Sequence, residues 1–220
     1  MSEQKPKIYA LVGASEFNDQ HFLANYNNNA FYKVIAIDAG FEHLKKINVV
    51  PDIAIGDFDS LGYVPEGDFR VMQYPVDKDK TDLELAIEEA ISDKPQCIMI
   101  YGILGKRLDH EISAIQMLSR VADFRIGVFA IGLEQSAVVI NGPSEFGLKA
   151  VGNDKTLSIF ALTDVVGGLD SKGLKWPYVN TTLSSVMSLG ISNEIIENDM
   201  KIKVQHGKIL IVFATDHLKE

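Results

Sequence analysis

The stretch "IAIGDFDSLG", residues 53–62, combines a short apolar run with two closely spaced carboxylates. The apolar residues stop at Gly56, and Asp57 and Asp59 then flank Phe58. A short apolar run that is bounded by glycine and acidic residues is typical of a β-strand covered on both faces. Because like charges repel, the two carboxylates need either a compensating cation or a solvated turn. The stretch therefore predicts a buried strand with an acidic turn at its carboxyl end.

Similar apolar runs with β-branched residues occur on both sides of this stretch. They are "IYALVGAS" (residues 8–15), "VIAIDAG" (34–40) and "CIMIYGILG" (97–105), and they end in Gly, Asp or Ser. Runs of this kind suit the strands of a parallel sheet, and ligands of open α/β sheets bind beyond the carboxyl ends of those strands. The small and acidic residues at the run ends are therefore predicted to share one ligand-binding edge.

The segments between these runs have apolar residues at helical spacing. In "TDLELAIEEAISDK" (81–94), Thr81 and Glu84 have the spacing of a capping box, which predicts a helix that begins near Asp82. Two further helices are predicted over "LDHEISAIQMLSRVAD" (108–123) and "FEHLKKI" (41–47). The apolar face of the longer one is predicted to carry Leu108, Ile112 and Ile115. Alternating strands and helices predict an α/β domain with a mostly parallel sheet over residues 1–130.

After about residue 130 the pattern changes to short β-type runs that Gly and Asn interrupt. These runs are "SAVVI" (136–140), "TLSIFAL" (156–162), "SVMSLGIS" (185–192) and "MKIKVQHGKILIVFA" (200–214). In the last run, His206 and Gly207 predict a tight hairpin turn between two strands. No amphipathic helix is predicted in this half, so residues 131–220 are predicted to form an all-β domain, either a small sandwich or a barrel.

The amino-acid composition limits which classes of molecule the chain can bind and where it is expected to be located. The 220 residues carry a formal net charge of −9, which argues against a nucleic-acid binder because phosphate backbones need a basic face. A nucleotide remains compatible, since a metal ion and a few lysines can hold it. The single cysteine, Cys97, excludes an internal disulfide and favours a cytoplasmic location. No apolar run approaches the ~20 residues of a membrane helix, and the first apolar run is predicted to be a strand rather than part of a signal peptide.

Four carboxylates are predicted to face one cleft, since a strand end and a neighbouring helix N-terminus can share it. They are Asp57, Asp59, Asp79 and Asp82. Mg²⁺ binds through carboxylates, water and substrate phosphates, and the helix N-terminus favours anions. The alternative is a solvated turn at "DFDS" with Asp82 only complementing the helix dipole. Four cations either neutralise a phosphate chain there or are ordinary surface charge, namely Lys78, Lys80, Lys106 and Arg107.

Two short motifs suggest other phosphate chemistry. "GILGKR" has the spacing G-x-x-G-K-R and not the Walker pattern G-x-x-x-x-G-K-[ST], so a phosphate loop is rejected. A strand followed by D-x-D is also found in phosphohydrolases of the haloacid-dehalogenase type. Those enzymes usually have Thr or Val two residues after the second aspartate, where this chain has Leu61.

In chain order, six motifs resemble those of the thiamine pyrophosphokinase (thiamine diphosphokinase) family. They are "IDAG" (37–40), "PDIAIGDFDS" (51–60), "KDKTDLELA" (78–86), "GKRLDHEI" (105–112), "GLKWP" (173–177) and "GISNE" (190–194). The chain departs from the family's A-D-G-G at Ile37 and Ala39. It departs from G-G-R-x-D-H at Lys106, which stands where the second glycine is expected. The departures concern the detail of nucleotide contacts.

The resemblance implies an α/β nucleotide-binding domain followed by a β-sandwich domain, assembled as a homodimer. It implies a transferase that moves the terminal diphosphate of ATP to the hydroxyl of thiamine and releases AMP, with Mg²⁺ required. The runner-up interpretation is a Mg²⁺-dependent phosphohydrolase of the haloacid-dehalogenase type with Asp57 as nucleophile. A third interpretation is a non-catalytic nucleotide-binding module. Thiamine-dependent AMP release distinguishes the three.

The resemblance also assigns roles to residues. Mg²⁺ is expected on Asp57, Asp59 and Asp82, which with Arg107 form the expected catalytic set. The ATP side is expected to include Asp38, Gly40, Lys78, Asp79, Thr81, Asp109 and His110. The thiamine side is expected to include Trp176, Ser192 and Asn193. Without the resemblance, Trp176 reads as a core residue and the Ser192–Asn193 pair as a turn. Which carboxylate accepts the hydroxyl proton is left open.

Overall fold

The structure, a computed structural model, describes residues 6–218, and these divide into two compact units. The first unit comprises the residues up to Met117 together with Ala130–Gly132. The second comprises Leu118–Phe129 and the residues from Leu133 onward. The first is an α/β unit and the second is almost entirely β, so the predicted fold class is confirmed.

The first unit is built on a parallel sheet. Its strands are β1 (Ile8–Val12), β2 (Lys33–Ile37), β3 (Ile53–Gly56), β4 (Arg70–Gln73) and β5 (Cys97–Tyr101). They lie in the order β5-β1-β2-β3-β4, and each neighbouring pair is parallel. Four of them match the predicted apolar runs. The edge strand β4 was missed because its sequence, RVMQ, is mostly exposed and lacks the apolar signature of the other four.

Helices connect these strands. They are α1 (Asp19–Asn27), α2 (Gly40–Lys46), α3 (Asp82–Ser92) and α4 (Leu108–Ala122). The predicted start of α3 is confirmed, since Thr81 Oγ1 accepts a hydrogen bond from the Glu84 amide at 3.2 Å. Helix α1 was missed because it buries only Phe22 and has no regular apolar stripe. No helix within residues 6–218 is both long and apolar enough to cross a membrane.

The apolar face predicted for α4 is wrong at Leu108 and Ile112, whereas the third predicted member, Ile115, is partly buried. Leu108 and Ile112 are 72% and 50% exposed, whereas Ala114, Leu118 and Val121 are buried. The buried face is offset from the predicted one, and its first member is an alanine, which adds little to a hydrophobic pattern. The larger exposed residues near the helix start therefore dominated the sequence signal. Strand β6 (Gly127–Ile131) follows α4 and is divided between the two units.

The second unit contains two layers of antiparallel strands. Its strands are β7 (Gln135–Asn141), β8 (Ser144–Lys149), β9 (Thr156–Ala161), β10 (Val165–Lys172), β11 (Thr181–Ser184), β12 (Asn193–Glu194), β13 (Asp199–Val204) and β14 (Lys208–Ala214). One layer pairs β14 with β7 and β9, and β9 with β12. The other has the order β11-β10-β13-β8. Both layers contribute to one apolar core, which includes Leu157, Ile211, Leu169 and Ile202. This is a sandwich-like arrangement.

The predicted hairpin at His206 and Gly207 is wrong. Strand β13 pairs with β8 and β10, whereas β14 pairs with β7 and β9, so the two flanking strands belong to different layers. The His206 amide donates to the Gly167 carbonyl at 3.0 Å, and the Gly142 amide donates to the Gly207 carbonyl at 2.9 Å. These bonds direct the chain from one layer to the other. A His-Gly turn can therefore connect two strands of one hairpin or two strands of different layers, and its composition does not distinguish the two.

The predicted strand "SVMSLGIS" (185–192) is also wrong, because its residues form turns. Its apolar side chains face solvent, with Val186 and Leu189 88% and 61% exposed. Gly190 lies close to the backbone of β9, where a Cβ would be 2.1 Å from the Ile159 carbonyl oxygen. The apolar content of this segment therefore does not reflect burial within the described chain.

Candidate functional site

Three carboxylates meet at the carboxyl ends of β2 and β3. Asp38, Asp57 and Asp59 each offer one oxygen, and the three oxygens lie within 4.8 Å of one another. The parallel pairing of β2 with β3 brings the strand ends together, and the Asp38 amide donates to the Ile55 carbonyl at 2.8 Å. The prediction that acidic residues at strand ends share one edge is confirmed for these residues.

The local backbone explains how the carboxylates approach each other. At Gly56 a Cβ would lie 3.1 Å from the Asp38 Cα, so glycine permits the close approach of the two strand ends. Phe58 adopts a φ of +62°, which is uncommon for a bulky residue, and its side chain is only 2% exposed. Burial of the ring holds this turn, and the Asp59 amide donates to Asp57 Oδ1 at 3.2 Å.

Lys78 connects this cluster to helix α3. Its ammonium lies 2.7 Å from Asp57 Oδ2 and 3.2 Å from Asp82 Oδ1, and its side chain is 13% exposed. The hydrogen bond from Lys78 lowers the pKa of Asp57. Burial opposes the charge on Lys78, but its bonds to Asp57 and Asp82 outweigh burial and raise its pKa. Lys78 is therefore a shielded ion-pair partner, and its interpretation as ordinary surface charge is wrong.

The other two predicted acidic residues, Asp82 and Asp79, are not members of the three-carboxylate cluster. Asp82 opens α3 and faces Lys78, and burial is the main cause of its raised pKa. Asp79 is exposed and does not line the adjoining cavity. The carboxylate that lies beside Asp57 and Asp59 is thus Asp38, and not the predicted Asp82.

The donor set of the cluster suits a divalent cation. Asp38 Oδ1 is buried and, among residues 6–218, has no hydrogen-bond partner. Three carboxylates at this separation repel one another, and Lys78 pairs directly with only one of them, Asp57. An unpartnered oxygen and excess negative charge are both satisfied by a hard cation, and Mg²⁺ prefers carboxylate oxygens. The residues present therefore fit a Mg²⁺ ion.

A cavity of about 660 Å³ adjoins the cluster. It is lined by Gly13, Ala14, Ser15, Ile37, Asp38, Val76, Lys78, Lys80, Thr81, Asp82, Leu83, Gly102, Ile103, Lys106, Arg107, Asp109, His110, Ser113 and Ala114. All the ATP-side candidates except Gly40 and Asp79 belong to this lining. Ser15 and Ser113 were not singled out from the sequence, although the run "IYALVGAS" ends in small residues at the predicted ligand edge.

Two glycines shape one wall of the cavity. A Cβ on Gly13 would lie 2.6 Å from the Gly102 carbonyl oxygen, and Gly102 itself has a φ of +66°. The ends of β1 and β5 therefore touch through their backbones. Gly40 has a similar packing role, since a Cβ there would lie 2.0 Å from the Val12 carbonyl oxygen. Gly40 is buried against β1 and does not line the cavity.

The cationic residues around the cavity differ in their partners. Arg107 forms an exposed ion pair with Asp109 at 2.6 Å, and Lys80 forms one with Glu88 at 2.7 Å. Lys106 instead donates to the carbonyl of Ala14 at 3.3 Å. Exposed pairs of this kind add little stability, so Arg107 and Lys80 can exchange their partners for a ligand at low cost.

In the second unit, Trp176 and Asn193 hold each other. The Trp176 amide donates to Asn193 Oδ1 at 3.2 Å, and Asn193 Nδ2 donates to the Trp176 carbonyl at 2.7 Å. Asn193 is buried, whereas Trp176 is 54% exposed, so the interpretation of Trp176 as a core residue is wrong. Lys175 lies over the indole, 4.7 Å from the ring centroid. Ser192 has a φ of +57° and ends a turn, as predicted, whereas Asn193 already belongs to strand β12.

The chain combines a parallel sheet, which has a cavity at its carboxyl edge, with a β-sandwich. It therefore falls in the class of proteins that have one α/β domain and one all-β domain. Residues 23–130 match the model of the thiamin pyrophosphokinase catalytic domain. Residues 143–209 match that of the thiamin pyrophosphokinase vitamin B1 binding domain. The chain therefore belongs to the thiamine pyrophosphokinase family and is an enzyme of that type, as its motifs predicted.

Individual relatives agree with this family. Thiamine pyrophosphokinase of Bacillus subtilis (strain 168) is 29% identical over 190 residues, which cover 83% of this chain and 87% of that protein. Thiamin pyrophosphokinase 1 of Caenorhabditis elegans is 26% identical over 198 residues, 86% of this chain and 81% of that protein. The crystal structure of the B. subtilis protein matches with a TM-score of 0.83 and 26% identity, covering 95% of this chain and 99% of that one. These matches do not support the phosphohydrolase or the non-catalytic module.

Proposed function

We propose that the chain transfers the terminal diphosphate of ATP to the hydroxyl of thiamine, giving thiamine diphosphate and AMP, with Mg²⁺ bound. The observation that carries the proposal is the cluster of Asp38, Asp57 and Asp59 at the edge of a cavity lined by cationic side chains. Carboxylates for a metal and cations for phosphates are the two requirements of phosphate-chain transfer, in which positioning and charge stabilisation dominate.

Asp57 and Asp59, together with Asp38, would hold the metal ion. Mg²⁺ supplies positive charge that offsets the charge of the phosphate oxygens and of the departing AMP. The hydrogen bond from Lys78 lowers the pKa of Asp57, which favours the charged carboxylate that a metal ion requires. Asp82 lies on the other side of Lys78 and is proposed to position that lysine.

The remaining groups of the cavity suit the phosphate chain. Helix α3 begins at Asp82, directly after Thr81, and both residues line the cavity. Helix N-termini favour anions. The guanidinium of Arg107 is exposed and presents planar donors that fit phosphate oxygens once Asp109 releases it. His110 lies in the same lining.

Thiamine is proposed to bind near Trp176. The indole is half exposed, and the ammonium of Lys175 already lies over its face at 4.7 Å, so the ring accepts a cation. The thiazolium of thiamine is a flat cation of the kind that aromatic faces attract. Asn193 holds the backbone of Trp176 and, with Ser192, is assigned to the same pocket.

A homodimer is proposed as the working assembly. The resemblance implies it, and Val186, Met187, Leu189 and Ile191 present apolar side chains to solvent within a single segment. Static light scattering of the whole chain at micromolar concentration is expected to give twice the monomer mass of 24.3 kDa. A monomer mass would refute the dimer. The cytoplasmic location stays a prediction.

The proposed reaction is tested by ATP labelled in its β-phosphate, incubated with the protein, Mg²⁺ and thiamine. We expect the label in thiamine diphosphate, with one unlabelled AMP formed for each. Label remaining in ADP, with inorganic phosphate released, would indicate phosphohydrolase chemistry instead. Bound but unreacted ATP would indicate a binding module.

A further inference from the structure

Four cationic side chains line the cavity, and they differ in how their charge is compensated. Lys78 is paired with Asp57 and Asp82, Lys80 with Glu88, and Arg107 with Asp109. Lys106 forms no ion pair with any carboxylate of residues 6–218. Its polar contact is with a neutral acceptor, the Ala14 carbonyl oxygen, at 3.3 Å. Lys106 is therefore the cation of this lining that no carboxylate within the described chain neutralises.

The loop that carries Lys106 is fixed to the loop after β1. Ser15 Oγ donates to the Leu104 carbonyl at 2.7 Å, and the Ser15 amide donates to the Gly102 carbonyl at 2.8 Å. The Gly105 amide donates to Glu111 Oε1 at 2.7 Å, which ties the loop to α4. The ammonium of Lys106 is thus presented at the cavity from an anchored backbone.

From this arrangement we infer that Lys106 binds the phosphate chain of the nucleotide and sets the affinity of this chain for ATP. The inference rests on the proposed function and adds to it a residue at which the chain departs from the family's G-G-R-x-D-H pattern. A paired cation must leave a carboxylate before it binds phosphate, and that exchange offsets part of the gain. Lys106 exchanges a neutral carbonyl for a charged phosphate oxygen and leaves no carboxylate unpaired, so it gains a charge-assisted bond without that offset.

The test measures ATP binding by titration calorimetry with Mg²⁺ present and thiamine absent, so that turnover plays no part. Lys106→Gln removes the charge and leaves a polar side chain that is one bond shorter. Lys106→Arg keeps the charge. Lys46→Gln is the matched control, since Lys46 is an exposed lysine of α2 that does not line the cavity. Thermal melts confirm that each variant is folded.

We expect the dissociation constant for ATP to rise roughly tenfold in Lys106→Gln and to change less than about twofold in Lys106→Arg and Lys46→Gln. The loss should also reduce the salt dependence of binding, because one phosphate contact has gone. Unchanged ATP affinity in Lys106→Gln would overturn the inference and leave the proposed function standing. Equal weakening in Lys106→Gln and Lys106→Arg would also overturn it, in favour of a loop-bridging role. No ATP binding by the wild type would refute the proposed function and, with it, this inference.

Discussion

Different interactions hold two regions of the molecule: the carboxyl edge of the parallel sheet, and the corner of the β-sandwich formed by Trp176 and Asn193. At the sheet edge, charges are held close together and partly shielded, and Lys78 joins Asp57 to Asp82. At the corner, two hydrogen bonds between the side-chain amide of buried Asn193 and the backbone of Trp176 hold a residue whose indole is exposed. The first arrangement suits a metal ion and phosphates, and the second suits a flat cationic ring. Substitutions in the two regions should therefore separate ATP effects from thiamine effects.

The largest effect is expected from removing one carboxylate of the cluster. Asp57→Asn and Asp59→Asn each keep the side-chain size but lose charge and ligand strength. If ~3 kcal/mol of transition-state stabilisation is lost, AMP release falls about a hundredfold. Steady-state AMP release with ATP, Mg²⁺ and thiamine measures this. Near-normal turnover in both variants would mean that "DFDS" is only a solvated turn.

The same two variants should differ in stability without Mg²⁺. Asp59→Asn relieves repulsion within the cluster, so its melting temperature should hold or rise. Asp57→Asn also removes the ion pair with Lys78, so its melting temperature should lie below that of Asp59→Asn. Thermal melts in a metal chelator test the difference. A lower melting temperature for Asp59→Asn than for Asp57→Asn would contradict the assigned pairing.

The next effect compares two lysines of the same edge. Lys78→Met leaves Asp57 and Asp82 without their cation in a shielded position, which should reduce the free energy of unfolding by about 2 kcal/mol. Lys80→Met breaks an exposed pair with Glu88 and should cost less than about 0.5 kcal/mol. Urea denaturation at neutral pH measures both. Equal losses would show that Lys78 is no more shielded than Lys80.

At the corner of the β-sandwich, Trp176→Ala should raise KM for thiamine about tenfold and leave KM for ATP nearly unchanged. The indole is 54% exposed, so its removal should lower the melting temperature little. Lys172→Ala is a control in the same unit, because Lys172 is exposed and its ion pair with Glu197 is long, at 3.8 Å. A change confined to KM for ATP would place Trp176 on the nucleotide side.

The smallest effect concerns Asp93, which follows α3 at the end opposite to Asp82. Hydrogen bonds from Lys7 and then Tyr9 lower the pKa of Asp93. A lowered folded-state pKa adds stability above the unfolded pKa of about 3.9, and this stability is lost as pH falls through the folded value. The melting-temperature advantage of the wild type over Asp93→Asn should therefore shrink as pH falls from about 5 to about 3. A constant difference across that range would refute the assignment.

The parts of the fold and site that the sequence predicted are those set by regular spacing. The apolar runs before Gly13, Asp38, Asp57 and Gly102 predicted four strands, and parallel pairing then brought their ends together. The capping spacing of Thr81 and Glu84 predicted the start of α3. Local patterns of this kind depend on few distant contacts.

What the sequence did not predict depends on contacts between distant residues. The shielding of Lys78 requires Asp57, which lies 21 positions away, and charge alone could not distinguish Lys78 from Lys80. The entry of Asp38 into the cluster depends on the approach of two strand ends. At His206 the chain changes from one layer of the sandwich to the other, and this change depends on hydrogen bonds with Gly142 and Gly167. The sequence His206-Gly207 by itself has the composition of an ordinary hairpin turn.

The central claim is that Asp38, Asp57 and Asp59 act together as a metal-dependent site for ATP. The most direct measurement is the dissociation constant for ATP by calorimetry, with Mg²⁺ and with a chelator, in the wild type and in Asp59→Asn. Asp59 is the best position to change because it does not pair with Lys78. We predict that Mg²⁺ tightens ATP binding at least tenfold in the wild type and hardly at all in Asp59→Asn. Equal tightening in both proteins would contradict the claim.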